Sequence, residues 1–270
     1  MKTPQLARII LIHAAFLACA GLCSAGHAAA EIGAQNLEYK QGDTVLEGYL
    51  AYDDMVAGKR PGVLLVPTRN GLDAFARTRT EALAKLGYVA FAADIFGKGV
   101  RPTNVAEAQE QSAKYGKDRP LTRLRAQASL DTLRNQPMVD TGNLAVIGFC
   151  FGGMVALELA RSGAPLLATV TFHGTLSTPT PEDAKNIKGR VLVLHGAEDP
   201  VAPMPEVQAF IKEMRDAKVD FALELYGGVV HGYTNPQNGT DTSKSSAYNE
   251  RADRRSWIAM QDLFKEVLVK

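Results

Sequence analysis

The segment LAVIGFCFGGM, residues 144–154, decides the fold because it joins a short apolar run to a helical pattern through a glycine-rich turn. The continuous apolar run Leu144–Ile147 predicts a buried strand, and the pattern Met154–Arg161 predicts a helix. Between them lies G-x-C-x-G, centred on Cys150, which is the pattern of a nucleophile elbow with Cys where Ser is commoner. A sharp turn of this kind requires glycines because its backbone is strained and crowded.

Cys150 would directly precede the helix, where unpaired N–H groups and the helix dipole favour the thiolate over the thiol. The segment therefore makes Cys150 a candidate nucleophile. The alternative is a buried Cys in the glycine-rich junction of an ordinary α/β protein, so the hypothesis requires a base and an acid from the rest of the chain.

Size and charge limit the classes of function. The chain has 270 residues, of which 46% are hydrophobic and 22% charged, enough for one sizeable core in a single α/β domain. The formal net charge is +1, and residues 31–270 carry 28 Lys and Arg against 29 Asp and Glu. A near-neutral surface argues against nucleic acid or an anionic membrane as the main partner.

Residues 1–30 have the pattern of a secretory signal peptide. Lys2 and Arg8 form the charged start, the apolar run Ile9–Leu22 is short for a membrane span, and Ala28-Ala29-Ala30 offers a cleavage site. An uncleaved anchor and a lipoprotein are the alternatives. We expect an exported protein, in a bacterial periplasm or secreted, with one domain over residues 31–270 and no stable membrane association after cleavage.

Cleavage would also change the cysteine inventory. Cys19 and Cys23 would leave with the signal peptide, so Cys150 would be the one remaining thiol. One cysteine forms no intramolecular disulfide and no Cys₂ or Cys₄ zinc site, and a lone thiol in an exported protein suggests reactivity.

Runs of strand length alternate with helical patterns along the chain. The predicted strands are Asn36–Lys40, Val45–Ala51, Gly62–Val66, Tyr88–Ala93, Leu144–Ile147, Leu166–Phe172, Val191–Leu194 and Phe221–Tyr226. The predicted helices are a segment capped by Asp73 and ending near Leu86, Val105–Tyr115, Leu121–Asn135, Met154–Arg161, Met204–Ala217 and most of Ser246–Val269. This alternation predicts an α/β fold with a mostly parallel central sheet and helices on both faces.

Two further side chains with suitable chemistry follow separate predicted strands. Asp199 lies in the loop after Val191–Leu194, and His231 lies in the loop after Phe221–Tyr226. The order nucleophile, acid, histidine, with separations of 49 and 32 residues, is the order of the α/β-hydrolases. Cys150 would attack an acyl carbon, His231 would take or hold the thiol proton and then protonate the leaving group, and Asp199 would fix the imidazole tautomer.

Two other histidines also follow predicted strands. We interpret His195 as structural, because Asp199 is the better acid and His231 the better base. We take His173 as a candidate residue of the substrate pocket. Zinc binding by the three histidines is an alternative, but no close i,i+4 pair supports it, and we predict no metal site.

An oxyanion hole requires two donors that converge on the developing charge. One should be the backbone N–H of Phe151, directly after the candidate nucleophile. The other should come from the loop after Gly62–Val66, near Thr68 or Arg69, and we assign it to the backbone N–H of Arg69.

At these residues the sequence resembles the dienelactone hydrolase family. The matching stretches are GFCFGG at Gly148–Gly153, HGAEDPVAP at His195–Pro203, HGYTNP at His231–Pro236 and LGYVAFAADIFGKG at Leu86–Gly99. The resemblance spans most of residues 35–268. It implies an α/β-hydrolase domain without a large lid, a Cys150–His231–Asp199 triad, and hydrolysis of a lactone or activated ester through a thioester, without a cofactor.

The sequence departs from the family pattern at two positions. Better-known members place a Glu after the third strand, in contact with the thiol, and here Thr68 occupies that position. We therefore predict a simpler resting pair of Cys150 and His231. Members specific for dienelactone use an Arg shortly after the catalytic His, and the matching region here, Gly232–Asn235, has none. Arg69 is a candidate replacement, and Thr68 and Tyr233 join His173 as candidate pocket residues.

Three hypotheses follow for function. The first is an exported Cys-dependent hydrolase acting on a small carboxylic ester or lactone, as a monomer or small homo-oligomer. The second is a non-catalytic binding or stress-protective protein on a hydrolase scaffold. The third makes Cys150 a redox sensor, which the absence of a resolving Cys from residues 31–270 weakens.

Overall fold

The computed structural model describes Met1 and residues 32–268. Apart from Met1, the predicted signal peptide lies outside the described residues, and so do Cys19 and Cys23. In the part of the chain that is described, no helix combines the length and the apolar character needed to cross a membrane.

Residues 32–268 contain one sheet of eight strands in the order β1-β2-β4-β3-β5-β6-β7-β8. The strands are β1 (Ile32–Gln41), β2 (Thr44–Asp53), β3 (Arg60–Val66), β4 (Val89–Ala92), β5 (Val139–Phe149), β6 (Ala168–Phe172), β7 (Arg190–Gly196) and β8 (Phe221–Tyr226). β1 and β2 pair antiparallel with their neighbours, whereas β4, β3 and β5 to β8 are parallel. The predicted mostly parallel sheet is confirmed.

Six α-helices flank this sheet within residues 32–268. They are α1 (Ala74–Lys85), α2 (Val105–Lys117), α3 (Arg119–Arg134), α4 (Phe151–Arg161), α5 (Met204–Asp216) and α6 (Glu250–Val267). Asp73, Asn104, Asp118 and Asn249 each accept a backbone N–H from the first turn of the helix that follows. These caps satisfy donors that a helix start leaves unpaired, and the cap predicted at Asp73 is confirmed.

Two apolar layers cover the faces of the sheet, which explains why β5 reads as a continuous apolar run. Val146 belongs to the buried cluster that contains Val155 of α4. Its neighbour Ile147 points to the opposite face, into the cluster that contains Leu83 of α1 and Phe264 of α6. A strand buried on both faces needs apolar residues at every position rather than at alternate ones.

Several predicted boundaries were wrong, and the contacts explain three of them. β5 begins at Val139 rather than Leu144, because it pairs with β3 across a register shift between Pro61 and Gly62 and so includes polar residues. β6 begins at Ala168 rather than Leu166, whose N–H instead closes a turn onto the carbonyl of Ala164. α6 begins at Glu250 rather than Ser246, because Asn249 caps it.

Candidate active site

The turn between β5 and α4 holds Cys150 in a strained conformation. Its φ is +54° and its ψ is −118°, a region that residues with a Cβ seldom adopt. A Cβ at Gly148 would lie 2.0 Å from the Gly152 carbonyl oxygen, and one at Gly152 would lie 2.1 Å from the Val66 carbonyl oxygen. Only glycine fits at either position, so the motif's spacing follows from close approach of the backbone.

The structure brings Cys150, His231 and Asp199 together at the carboxyl edge of the sheet. His231 Nε2 lies 3.0 Å from Cys150 Sγ, and His231 Nδ1 lies 2.8 Å from Asp199 Oδ2. Asp199 Oδ1 accepts backbone N–H groups from Val201 at 2.8 Å and Ala202 at 3.2 Å. Both carboxylate oxygens are therefore engaged, so Asp199 fixes the orientation of the imidazole.

The contacts favour charge separation between the thiol and the imidazole. Burial opposes ionisation of Cys150, but the charge and hydrogen bond of His231, the Phe151 amide and the charge of Arg69 lower the pKa of the thiol below its ordinary value. Burial likewise lowers the pKa of His231, but the Cys150 thiolate and the Asp199 carboxylate outweigh it and raise that pKa to about 10. Together these contacts favour a thiolate–imidazolium pair over a neutral thiol and imidazole.

The loop after β3 forms a turn beside the thiol. The N–H of Gly71 donates to the Thr68 carbonyl at 3.0 Å, and the N–H of Asn70 donates to the Thr68 hydroxyl at 3.2 Å. Arg69 therefore occupies the second position of a β-turn, whose N–H does not take part in the turn hydrogen bond. Across from it, the Phe151 N–H is directed at the Cys150 sulfur.

A cavity of about 270 Å³ opens above these groups. Its walls are formed by Thr68, Arg69, Asn70, Val105, Cys150, His173, Val201, His231, Gly232, Thr234, Asn235, Asn238, Ser245 and Ser246. Of these, Thr68, Arg69, Cys150, His173 and His231 were candidates from the sequence. The remaining wall residues come mainly from the long loop after β8, whose polar composition gave no sign of which side chains face inward.

Tyr233 was wrong as a pocket residue. Its side chain is fully buried, and its hydroxyl donates to the Leu194 carbonyl at 3.0 Å. Gly232, with φ +67°, reverses the chain after His231, so Tyr233 points into the core and Thr234 reaches the cavity wall.

The two other histidines are structural neighbours of this site. His195 is buried, and its Nε2 pairs with the Ala202 carbonyl at 2.8 Å, in the loop that carries Asp199. His173 packs its ring edge-to-face on His231, with 5.1 Å between centroids, and its Nε2 lies 2.8 Å from the Thr234 hydroxyl. Burial holds the pKa of His173 well below its ordinary value, so this ring is neutral.

The histidines do not form a metal centre. Among residues 32–268, no group of three or more His, Cys, Asp and Glu side chains has an arrangement that would hold a metal ion.

Comparison with known proteins identifies the family of the chain. The profile of the dienelactone hydrolase family matches residues 46–268. A solved structure named m3DLH is 43% identical, with a TM-score of 0.85, and the match covers 88% of this chain and 99% of that one. The crystal structure of a dienelactone hydrolase-like promiscuous phosphotriesterase from metagenomic libraries is 41% identical, with a TM-score of 0.83 and the same coverage.

A curated relative extends the comparison to named enzymes. A protein of Synechocystis sp. named as a candidate carboxymethylenebutenolidase is 26% identical over 238 residues, which cover 83% of this chain and 92% of its own. The family profile and the relatives match nearly the whole of residues 32–268, and both indicate the same family. The chain belongs to the dienelactone hydrolase family and is a hydrolase of the ester and lactone class.

Proposed function

We propose that the chain hydrolyses a small carboxylic ester or lactone through a thioester on Cys150. The Cys150 thiolate attacks the acyl carbon, and the carbonyl electron pair moves onto oxygen to give a tetrahedral oxyanion. The backbone N–H groups of Phe151 and Arg69 donate to that oxyanion. The His231 imidazolium protonates the leaving alkoxide as the C–O bond breaks, which leaves an acyl thioester.

Deacylation uses the same groups in reverse. His231, now neutral, removes a proton from water as the water attacks the thioester carbon. Collapse of the second tetrahedral intermediate releases the carboxylic acid and restores the thiolate–imidazolium pair. When the substrate is a lactone, the leaving alcohol stays covalently attached to the acyl group and departs with it.

One observation carries the proposal. Hydrogen bonds of 3.0 Å and 2.8 Å join Cys150, His231 and Asp199 in series, and the thiol at one end of the series opens into a cavity. A nucleophile, a base and an orienting acid in contact are what acyl transfer requires, whereas a non-catalytic scaffold gains nothing from a strained, half-buried thiolate.

Thr68 supports activation without a substrate-triggered step. Its hydroxyl is engaged by the N–H of Asn70, and it offers the thiol no carboxylate that would compete with His231 for the proton. We therefore infer that Cys150 is ionised before the substrate binds.

The cavity supports a substrate that carries a negative charge. Arg69 lies on the wall, and among the described wall residues there is no Asp or Glu. The charge of Arg69 acts on the Cys150 thiolate, and no carboxylate among the described wall residues neutralises it, so its guanidinium can pair with a substrate carboxylate. Arg69→Gln keeps the backbone N–H, and it should raise KM for an anionic lactone about tenfold or more while leaving KM for a neutral ester within about twofold.

A second candidate activity is phosphotriester hydrolysis. It is favoured by the 41% identity to a structure described as a promiscuous phosphotriesterase. Attack of the Cys150 thiolate on phosphorus would form an S–P bond and release an aryloxide, and water would then cleave the S–P bond. Release of p-nitrophenol from paraoxon, lost in Cys150→Ala, tests this activity.

The first experiment is hydrolysis of a panel by residues 31–270. The panel contains p-nitrophenyl acetate, p-nitrophenyl butyrate and an unsaturated lactone with and without a carboxylate. We expect turnover by the wild type and loss of turnover in Cys150→Ala. Absence of turnover on every substrate, together with a Cys150 that does not react with iodoacetamide, would favour the binding-protein hypothesis.

Export is a separate part of the proposal, supported by the pattern of residues 1–30. N-terminal sequencing of the full-length chain after expression in a Gram-negative host should give a periplasmic protein that begins at Glu31. A chain that keeps Lys2 and stays with the cytosol or the membrane fraction would contradict export.

A further inference from the structure

A partly buried ion pair outside the triad joins two helices to the loop that carries His231. Arg79 of α1 donates from Nη2 to Asp253 of α6, at 2.6 Å and 2.8 Å to the two carboxylate oxygens. The same Nη2 donates to the backbone carbonyl of Thr234, in the loop after β8, at 2.9 Å. We call Arg79, Asp253 and Thr234 the Arg79 brace.

The Arg79 brace is held in place by aromatic rings. The guanidinium carbon lies 5.2 Å from the ring centroid of Phe75, 5.1 Å from that of Trp257 and 6.0 Å from that of Phe149. Arg79 and Asp253 side chains are only 16% and 14% exposed. Packing of this kind limits the rotamers of both side chains, so the pair has a defined geometry, unlike a solvated surface pair.

The brace reaches His231 through the loop it anchors. Thr234 is fully buried, and its hydroxyl lies 2.8 Å from His173 Nε2. The neutral ring of His173 in turn packs edge-to-face on His231. A displacement of Thr234 would therefore move both the loop that carries His231 and the ring that supports it.

The brace also reaches Cys150 from the other side. Phe149, over which Arg79 lies, directly precedes Cys150 and stacks on Phe172, with 4.6 Å between centroids. Arg79 thus contacts one residue next to the thiol and one residue three positions after His231. His173 also spans these two loops, because its ring centroid lies 6.2 Å from that of Phe149 and 5.1 Å from that of His231.

We propose that Arg79 is a positioning residue that, with Asp253, sets the separation of Cys150 and His231. It touches neither the substrate nor the reacting atoms. The inference rests on the proposed function, because the separation matters only if this pair performs the chemistry. A misplacement of about 1 Å between reacting groups costs about a hundredfold in rate, so loosening the brace should be visible in kcat.

A role of the brace in positioning and a role through its charges predict different shifts in the pKa of Cys150. Two variants distinguish these roles. By charge alone, removing the cation in Arg79→Met would raise the pKa of Cys150, and removing the anion in Asp253→Asn would lower it. If the brace acts through position, both variants lengthen the Cys150–His231 hydrogen bond, and both raise that pKa. Arg77→Met is the matched control, because Arg77 lies on the same helix and contacts Asn36 and the Tyr49 ring, away from the site.

The test measures the pH dependence of Cys150 alkylation by iodoacetamide, together with kcat and KM for p-nitrophenyl acetate, on residues 31–270. We expect the alkylation midpoint to move to higher pH in both Arg79→Met and Asp253→Asn. We expect kcat to fall about tenfold to a hundredfold, with KM within about threefold, and Arg77→Met to match the wild type. Arg79→Lys keeps the positive charge but lacks the planar guanidinium with its several N–H donors. Its alkylation midpoint and kcat should lie between those of Arg79→Met and the wild type.

Midpoints that move in opposite directions in the two variants would overturn the proposal, because charge alone would then explain them. Unchanged midpoints and kcat beside a lowered melting temperature would also overturn it, because the pair would then serve stability only. If Arg79→Met does not fold, Asp253→Asn and Arg79→Lys carry the same comparison. If the wild type hydrolyses no ester, the proposed function fails, while the alkylation midpoints still decide whether the brace sets the pair.

Discussion

The two ends of α4 handle charge in opposite ways. At its N-terminus, Cys150 is half-buried, strained and paired with a single histidine. At its C-terminal end, Glu158 and Arg161 are fully buried, and every charge has several partners. The N-terminus of α4 therefore holds a charge that faces the cavity, whereas its C-terminal end holds a charge network that is closed to solvent.

The C-terminal network is saturated by hydrogen bonds. Arg161 donates to Glu213 twice at 2.8 Å, to Glu158 at 3.2 Å and to the Leu176 carbonyl at 2.9 Å. Arg123 of α3 donates to Glu158 at 2.8 Å. The network links α4 to α3 and α5, so we assign it to stability. We assign the N-terminal end of α4, where Cys150 faces the cavity, to chemistry. The contrast predicts that substitutions at the two ends separate stability from activity.

The largest effect should come from removing the thiol. Cys150→Ala should lower kcat/KM for p-nitrophenyl acetate by a factor on the order of 10⁵ to 10⁶, because the covalent path is lost. The melting temperature should stay near that of the wild type, since Ala keeps the Cβ and the turn geometry. A large fall in stability in this variant would break the contrast between the two ends.

Removing the buried cation should have the reverse effect. Arg161→Met leaves the Glu213 carboxylate without its cationic partner and Glu158 with Arg123 alone, and it should lower the free energy of unfolding by about 3–5 kcal/mol. The alkylation midpoint of Cys150 should not change. Arg134→Met is the control, because the Arg134–Asp131 pair is exposed at 3.9 Å and its loss should cost below about 1 kcal/mol. Denaturant titration measures both, and equal losses would contradict the assignment.

The glycines of the turn should be more sensitive than other glycines. Gly152→Ala places a Cβ 2.1 Å from the Val66 carbonyl oxygen, so the backbone must shift, at a cost of about 1–3 kcal/mol or more. Gly116→Ala, in α2 with no atom within 4 Å of the added Cβ, should stabilise by about 0.5–1 kcal/mol. Thermal unfolding of the two variants measures the difference. A Gly152→Ala variant as stable as Gly116→Ala would refute the close approach of residue 152 to the Val66 carbonyl.

The pKa of His231 should depend on the thiolate. Because the charge of Cys150 is the largest influence that raises the pKa of His231 to about 10, Cys150→Ala should lower that pKa. NMR titration of the His231 ring would measure the change. In the wild type, alkylation should rise with pH through a midpoint below that of an ordinary thiol, since the pKa of Cys150 is lowered. Equal His231 pKa values in the two proteins would show that no ion pair exists.

A carboxylate beside the thiol should produce the smallest of these changes. Thr68→Glu adds a negative charge near Cys150, which raises the pKa of the thiol and moves the alkylation midpoint to higher pH. Thr68→Gln is the neutral control for loss of the hydroxyl that the Asn70 N–H uses. An unchanged pH profile in Thr68→Glu would contradict the inferred resting pair.

Local patterns predicted the parts of the molecule that local physics determines. The alternation of apolar runs and helices gave the sheet and its crossovers, and the glycines around Cys150 gave the turn. The proximity of Cys150, Asp199 and His231 followed from chain order, because the loops after parallel strands share one edge of the sheet.

Contacts between residues far apart in the chain could not be predicted from the sequence. Arg79 and Asp253 lie 174 residues apart, and nothing in either local pattern indicates that they pair. Tyr233 was assigned to the pocket because it is close to His231 in the chain, and the reversal at Gly232 turned it into the core. Which residues of a long polar loop face a cavity depends on such reversals, which composition does not reveal.

Trapping the acyl-enzyme tests the central claim most directly. Residues 31–270 would be mixed with p-nitrophenyl acetate, quenched in acid within the first turnover and digested for mass spectrometry. We predict one acetyl group on the peptide that contains Cys150, removable by hydroxylamine, and absent from Cys150→Ala. Turnover that persists in Cys150→Ala, with no acetyl group on the wild-type peptide at any quench time, would contradict the thiolate mechanism.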